Sequence, residues 1–156
     1  NYYKEGDPPQ EWALNTDIIA RSFKAAGFDL RILINTDIKN NIAKYPLKAI
    51  WNQSSADTDI DYRRIQNMEV FFKRNADSLN IRIDPANEEN LNTWVPGDVV
   101  LFDMDGDGYT DNICIISDST ARNGTPKVIY NYIDPGYTTE ANILSSKIIT
   151  GHYRYP

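Results

Sequence analysis

Apolar positions recur at helical spacing through the first half of the chain and fall into short β-rich runs through the second. After an extended entry containing Gly6, Asp7, Pro8 and Pro9, Asn15 has the character of a helix N-cap, followed by Asp17 and a stripe of Ile19, Phe23 and Ala26, with Gly27 as the stop. One helix is therefore predicted over about 16–26. Asp29 to Ile34 and Thr36 to Ala43 read as two short helical pieces ending before Pro46. Residues 52–59 are a polar loop, and Asn67 is expected to cap a helix carrying Met68, Val70, Phe71 and Phe72 to about Ala76. Beyond it, Ile81–Ile83, Val99–Phe102, Ile113–Ile116, Val128–Ile133 and Ile148–Tyr155 read as strands, separated by turn signals at Pro96-Gly97-Asp98, Asn123-Gly124 and Pro135-Gly136. Helices first and strands second predict an α+β fold, with N-terminal helices packed on a mostly antiparallel sheet.

The chain of 156 residues has the size of one domain, taken as 1–156. Its 22 acidic against 16 basic residues give a formal charge of -6, which argues against nucleic acid as a partner. There is no run of about 18 apolar residues, so no membrane span is expected. The only cysteine is Cys114, which excludes an internal disulfide and a multi-cysteine metal site. The start at Asn1 without a methionine is read as a trimmed leader.

The densest chemistry lies between Asp103 and Asp111. Asp103, Asp105, Asp107 and Asp111 occupy relative positions 1, 3, 5 and 9, with Gly106 and Gly108 at positions 4 and 6 and Tyr109 offering a carbonyl at position 7. Carboxylates this close repel by roughly 1 kcal/mol per pair even in water, which a hard cation would relieve. Calcium is the expected ion, since magnesium seldom takes an all-protein cage. Position 12 is Cys114 rather than a bidentate glutamate, so a shorter loop between strands is expected, not the helix-loop-helix motif. The plain alternative is a solvated hairpin tip with these residues serving the turn alone. Millimolar extracellular calcium would suit such a loop, which points to secretion or the cell envelope.

Seven ordered segments carry a resemblance that covers nearly the whole chain: Asn15-Thr-Asp-Ile-Ile, Ile60-Asp-Tyr-Arg-Arg-Ile-Gln-Asn67, Val70-Phe-Phe, Pro96-Gly-Asp-Val-Val, Asn112-Ile-Cys-Ile-Ile-Ser-Asp118, Val128-Ile-Tyr-Asn131 and Gly151-His-Tyr-Arg154. In that order they resemble a bacterial domain family of unknown function, similar to papain-fold, NlpC-type cell-wall cysteine hydrolases. The resemblance implies a papain-like fold. It also implies that Asn15 stands at the family's cysteine, Asn112 at its histidine and Tyr130 at a third polar position, usually histidine. An amide is neither nucleophile nor base, so these replacements delete the reaction of a helix-activated thiolate while retaining polar side chains. The expected protein is a calcium-stabilised pseudo-hydrolase of a bacterial envelope or secretome. Its vestigial cleft, faced by Asn15, Asn112, Tyr130 and Asn131, would bind a peptide or peptidoglycan fragment.

Two rival readings compete with it. One is an active amidase or peptidase with a relocated centre, for which Cys114 and the lone His152 are the available pair; a small buried hydrophobe and a packed histidine are the plainer roles. The other is a calcium-binding structural or adhesion module. Thr16 fits helix-start chemistry. Asp61, Arg63 and Arg64 suit either an Arg fork for a substrate carboxylate or ion pairs within the fold. Ten Tyr and three Trp are a generous supply; Tyr2, Tyr3, Trp12, Tyr130 and Tyr132 could line a groove, although packing is the default for most.

Overall fold

Helices precede the main strands in the computed structural model, which describes residues 2–4 and 6–156: α1 (Asn15–Ala25), α2 (Leu30–Asn40), α3 (Leu47–Trp51) and α4 (Ile65–Asn75), with 3-10 turns at Ile42–Lys44 and Asp61–Arg63. The strands are β1 (Asp77–Ser78), β2 (Val99–Asp103), β3 (Asn112–Thr120), β4 (Pro126–Tyr130), β5 (Thr139–Ala141) and β6 (Ile148–Arg154), and a short α5 (Glu88–Leu91) lies between β1 and β2. They form one six-stranded sheet in the order β1-β6-β2-β3-β4-β5, with each pairing antiparallel. The α+β arrangement expected from the pattern is therefore present. Among the described residues, no helix is long and apolar enough to cross a membrane.

Several local expectations shift. Asn15 is not the N-cap of α1; extended Leu14 is, and its N–H donates to the Asp17 carboxylate at 2.9 Å, a reach-back bond from the third helical residue. The two pieces expected at 29–43 fuse into α2, capped by Asp29, whose side chain accepts the Ile32 N–H. Asn67 does not cap α4. That helix starts two residues earlier, and the buried Asn67 amide bonds the Asp61 carbonyl at 2.9 Å. Ile81–Ile83 forms no strand: the Leu79 N–H continues the ladder to the His152 carbonyl, and then Asn80 accepts the Arg82 N–H in an Asx turn that leads the chain away. β1 and β5 have two and three residues, too short for periodicity to reveal.

Alternation along the central strands divides the core into two faces. Val99, Leu101 and Ile113 pack with Ile19, Phe23, Leu30, Ile34 and Phe72 from the helices. Val100, Phe102, Cys114, Ile116, Val128 and Tyr130 pack on the other face with Trp94 and Leu144. All of β2 is buried, which explains why its sequence is a continuous apolar run rather than an alternating one.

On the far face, a carboxylate joins two of the quoted segments. Asp98, at 2 % exposure, receives two bonds of 2.7 Å from Arg154, lies 2.9 Å from His152 Nε2 and accepts the Val95 N–H at 3.0 Å. The His152 ring stacks on Trp94 with centroids 4.1 Å apart, and its Nδ1 reaches the Asn80 carbonyl at 2.9 Å. Burial alone would raise the Asp98 carboxyl, but the bonds from Arg154, His152 and the Val95 amide outweigh it and hold the group below the usual carboxylate range. Asp98→Ala should cost about 1–3 kcal/mol at neutral pH, because it removes the buried acceptor shared by Arg154, His152 and the Val95 N–H. A depressed carboxyl stabilises the fold above its unfolded value of roughly 3.9, and that stabilisation is lost as pH falls through the folded value. Urea unfolding of both proteins across the acid range checks this: the gap should narrow as the medium is acidified.

Candidate functional site

The start of α1, the start of β3 and the segment after β4 meet beside the β2–β3 loop. Asn15 and Asn112, 97 positions apart, are in direct contact: Asn15 Nδ2 donates to Asn112 Oδ1 at 2.7 Å. The polarity of this contact is set from both sides. Asn15 Oδ1 accepts the Thr16 N–H at 2.8 Å, and Asn112 Oδ1 also accepts the Ile113 N–H at 2.9 Å. Neither amide can therefore be reversed without losing a backbone bond. Asn112 is fully buried and its Nδ2 has no partner among the described residues, a cost of roughly 1–3 kcal/mol for such a group.

Asn131 borders the same place and ties it to the entry segment through Nδ2 to the Ala13 carbonyl at 3.0 Å. Tyr130 does not face this place. It is 7 % exposed in the far-face cluster, where burial raises its phenol. β4 ends at Tyr130, so the chain beyond it is no longer held in the sheet, and Asn131 and Tyr132 border the groove. A groove of about 560 Å³ opens here between Leu14, Asn15, Asp105, Asp111, Asn131 and Tyr132. It adjoins a second compartment of about 520 Å³ beside Trp12 and Tyr137, and the two share Ala13, Asn131 and Gly136.

The acidic loop forms the groove's other wall. Asp103, Asp105 and Asp111 each place a carboxylate oxygen within 4.8 Å of the others, so these three could hold a metal ion. Asp103 is buried and accepts the N–H groups of Gly106 at 2.7 Å, Asp107 at 3.2 Å and Gly108 at 2.9 Å. Gly106 and Gly108 have φ of 83° and 92°, the left-handed backbone that lets these amides converge. Burial would raise the Asp103 carboxyl, but those amides hold it below the usual range. Asp107, expected as a fourth carboxylate, does not join the cluster; its Oδ1 caps the Tyr109 N–H at 2.9 Å. Asp111 links loop and groove: Oδ1 accepts the Met104 N–H and Oδ2 accepts the Tyr132 hydroxyl, each at 2.9 Å. Donation to Asp111 pushes the Tyr132 phenol up to about 12, so it remains a donor. Three oxygen ligands of this kind suit a hard cation.

Other candidates fall to structural roles. Cys114 and His152 flank Val100 from opposite sides in the register, two strand spacings or roughly 9–10 Å apart, beyond any hydrogen bond. Arg63 pairs with Asp17 at 2.6 and 2.8 Å in the interior. Arg64 bonds Asp61 at 2.8 Å and lies 3.9 Å over the Trp51 ring, so both guanidinium groups serve the fold. Thr16 is buried at the start of α1. Leu14 borders the groove although the sequence reading did not name it, whereas Tyr132 is one of the five aromatics expected to be able to line a groove.

A family model described as a domain of unknown function (DUF1287) matches residues 1–155. The chain belongs to this family. It is 35% identical over 153 residues to the uncharacterized protein YijF of Escherichia coli strain K12, covering 98% of this chain and 69% of that protein. No solved structure matches it. Within this member, Cys114 is completely buried and its thiol is pushed well up, first by burial and then by the charge of Asp111. It should resist a thiol-reactive dye at mildly alkaline pH in the native state and react at once after denaturation; rapid native labelling would show that the β3 core opens readily.

Proposed function

We propose that this domain is a catalytically degenerate hydrolase of the papain-fold, NlpC-like type, secreted or held in a bacterial envelope, that binds a peptide or cell-wall fragment without cutting it. The observation that carries this reading is the 2.7 Å contact between Asn15 and Asn112. These are the two positions that the resemblance assigns to nucleophile and base, and they meet where a helix begins and a strand begins, with a groove alongside. Amides there can hold a ligand by hydrogen bonds but can neither attack an acyl carbon nor relay a proton. A relocated Cys114–His152 centre lacks the necessary proximity. The far-face location of Tyr130 suggests that the groove uses Asn131 and Tyr132 instead of the third polar position.

Calcium is the proposed ion for the loop, with Asp103, Asp105 and Asp111 as protein ligands. It would relieve the repulsion among these carboxylates and stiffen the hairpin that carries Asn112. Calcium at about a hundred times its Kd should add about 2.7 kcal/mol of stability, a rise in Tm of roughly 5–10 °C for a domain of this size. Melts with calcium, magnesium and chelator check this. Asp103→Asn should remove the calcium response, and an unchanged native Tm would dispose of the calcium assignment.

A double variant, Asn15→Cys with Asn112→His, tests the cleft directly. We expect it to release peptide from purified cell wall, an activity the unmodified chain lacks. Release by the unmodified chain would overturn the degenerate reading, and a folded but inert double variant would count against the inherited cleft.

A further inference from the structure

We propose that the occupant of the groove is an uncharged saccharide, held by stacking on Trp12 and Tyr137. This rests on the groove being a ligand site, as argued above, and names the class of ligand it selects. Both rings belong to the compartment of about 520 Å³, and they are 62% and 63% exposed. They stand on different segments, Trp12 on the entry segment before α1 and Tyr137 on the turn between β4 and β5. An aromatic face carries the negative side of the ring quadrupole, which attracts the C–H face of a pyranose and leaves the sugar's hydroxyls free for hydrogen bonds. Gln10, Ser22, Asn131 and Thr138, all neutral, line the same compartment and can donate to or accept from hydroxyls.

The Trp12 ring is open to solvent, but the backbone beneath it is fixed. Its N–H donates to the Pro9 carbonyl at 2.9 Å, and Arg21 Nη2 donates to its carbonyl at 3.2 Å and to that of Pro8 at 3.1 Å. Arg21 Nη1 adds a bond to the Gln10 carbonyl at 3.3 Å, and Asn131 holds the next carbonyl, that of Ala13. In the turn that carries Tyr137, the Gly136 N–H donates to the Tyr132 carbonyl at 2.9 Å. A large ring presented on a braced backbone is a preformed contact, so little conformational freedom is lost when a ligand covers it.

Charge excludes an acidic ligand. Among the described residues, Arg21 is the only basic one along either compartment, and its guanidinium is engaged by the carbonyls of the entry segment. The start of α1 offers no substitute. The N–H groups of Thr16, Asp17 and Ile18 are taken by the Asn15 side chain and the Leu14 carbonyl, and the Asp17 carboxylate already sits in the first turn. Glu11, Asp105 and Asp111 add negative charge along the walls. A carboxylate finds no partner there, whereas a neutral sugar needs none.

The test is isothermal titration of the unmodified chain, with calcium present, against tri-N-acetylchitotriose, cellotriose, trigalacturonic acid and a neutral tripeptide blocked at both ends. At least one neutral trisaccharide should bind roughly tenfold or more tighter than the acidic one, and the difference between the two neutral sugars tells whether the acetamido group is read. Trp12→Ala and Tyr137→Ala should each weaken that binding about fivefold without lowering the Tm, since both rings are exposed, and Trp12→Phe should retain most of it. Acidic and neutral trisaccharides binding equally would overturn the proposal, as would neutral-sugar binding that survives both alanine changes. Binding of the blocked tripeptide alone would overturn the saccharide and leave the groove as a peptide site. No binding of any probe would remove both this inference and the groove reading beneath it.

Discussion

The antiparallel pairing of β2 with β3 fixes by its register where the chemistry of this domain stands. With Phe102 opposite Asn112 and the Asp111 N–H on the Phe102 carbonyl, the intervening residues must close into a tight loop. That closure gathers three aspartates that would otherwise repel, and it delivers Asn112 to the first residue of a strand beside the start of α1. The same register places Cys114 and His152 on either side of Val100, close in the sheet but out of chemical reach. A slip of one residue would move each of these groups to the opposite face.

Buried polar groups hold the surrounding frame in place. Asp98 connects the turn before β2 to Arg154 and His152 on β6, and Asp17 connects the first turn of α1 to Arg63. Each carboxylate is deeply buried, so removing its cationic partner leaves a stranded charge, whereas the pair itself adds little net stability. Their effect is to specify position. The Asp17–Arg63 pair anchors the helix start from which Asn15 reaches Asn112, and the Asp98 group ties β6 to the turn before β2.

The fold class was legible in the chain because periodicity reports burial, and the strongest runs became β2, β3, β4 and β6. Where periodicity competed with capping chemistry it misled. Asn15 has the side chain of an N-cap, but Asp17 reached back to Leu14 first, freeing the Asn15 amide for Asn112. Ile81–Ile83 has β-branched residues and no neighbouring strand to pair with. The loop was legible as a cation candidate from spacing alone, yet Asp107 turned to its own Tyr109 amide, a local bond that spacing does not register.

By itself the sequence determined what chemistry was on hand: an acidic loop, one isolated cysteine, and the amides of Asn15 and Asn112. Those follow from residue identity, which no packing can alter. Only the tertiary structure decided which of these groups meet. The contact of Asn15 with Asn112 spans 97 positions, the burial of Tyr130 depends on which residue ends β4, and the groove exists because Asn131 and Tyr132 follow that end. Long-range contact is set by the register of the sheet and by the orientation of α1 on it, and neither is written in any local stretch of chain.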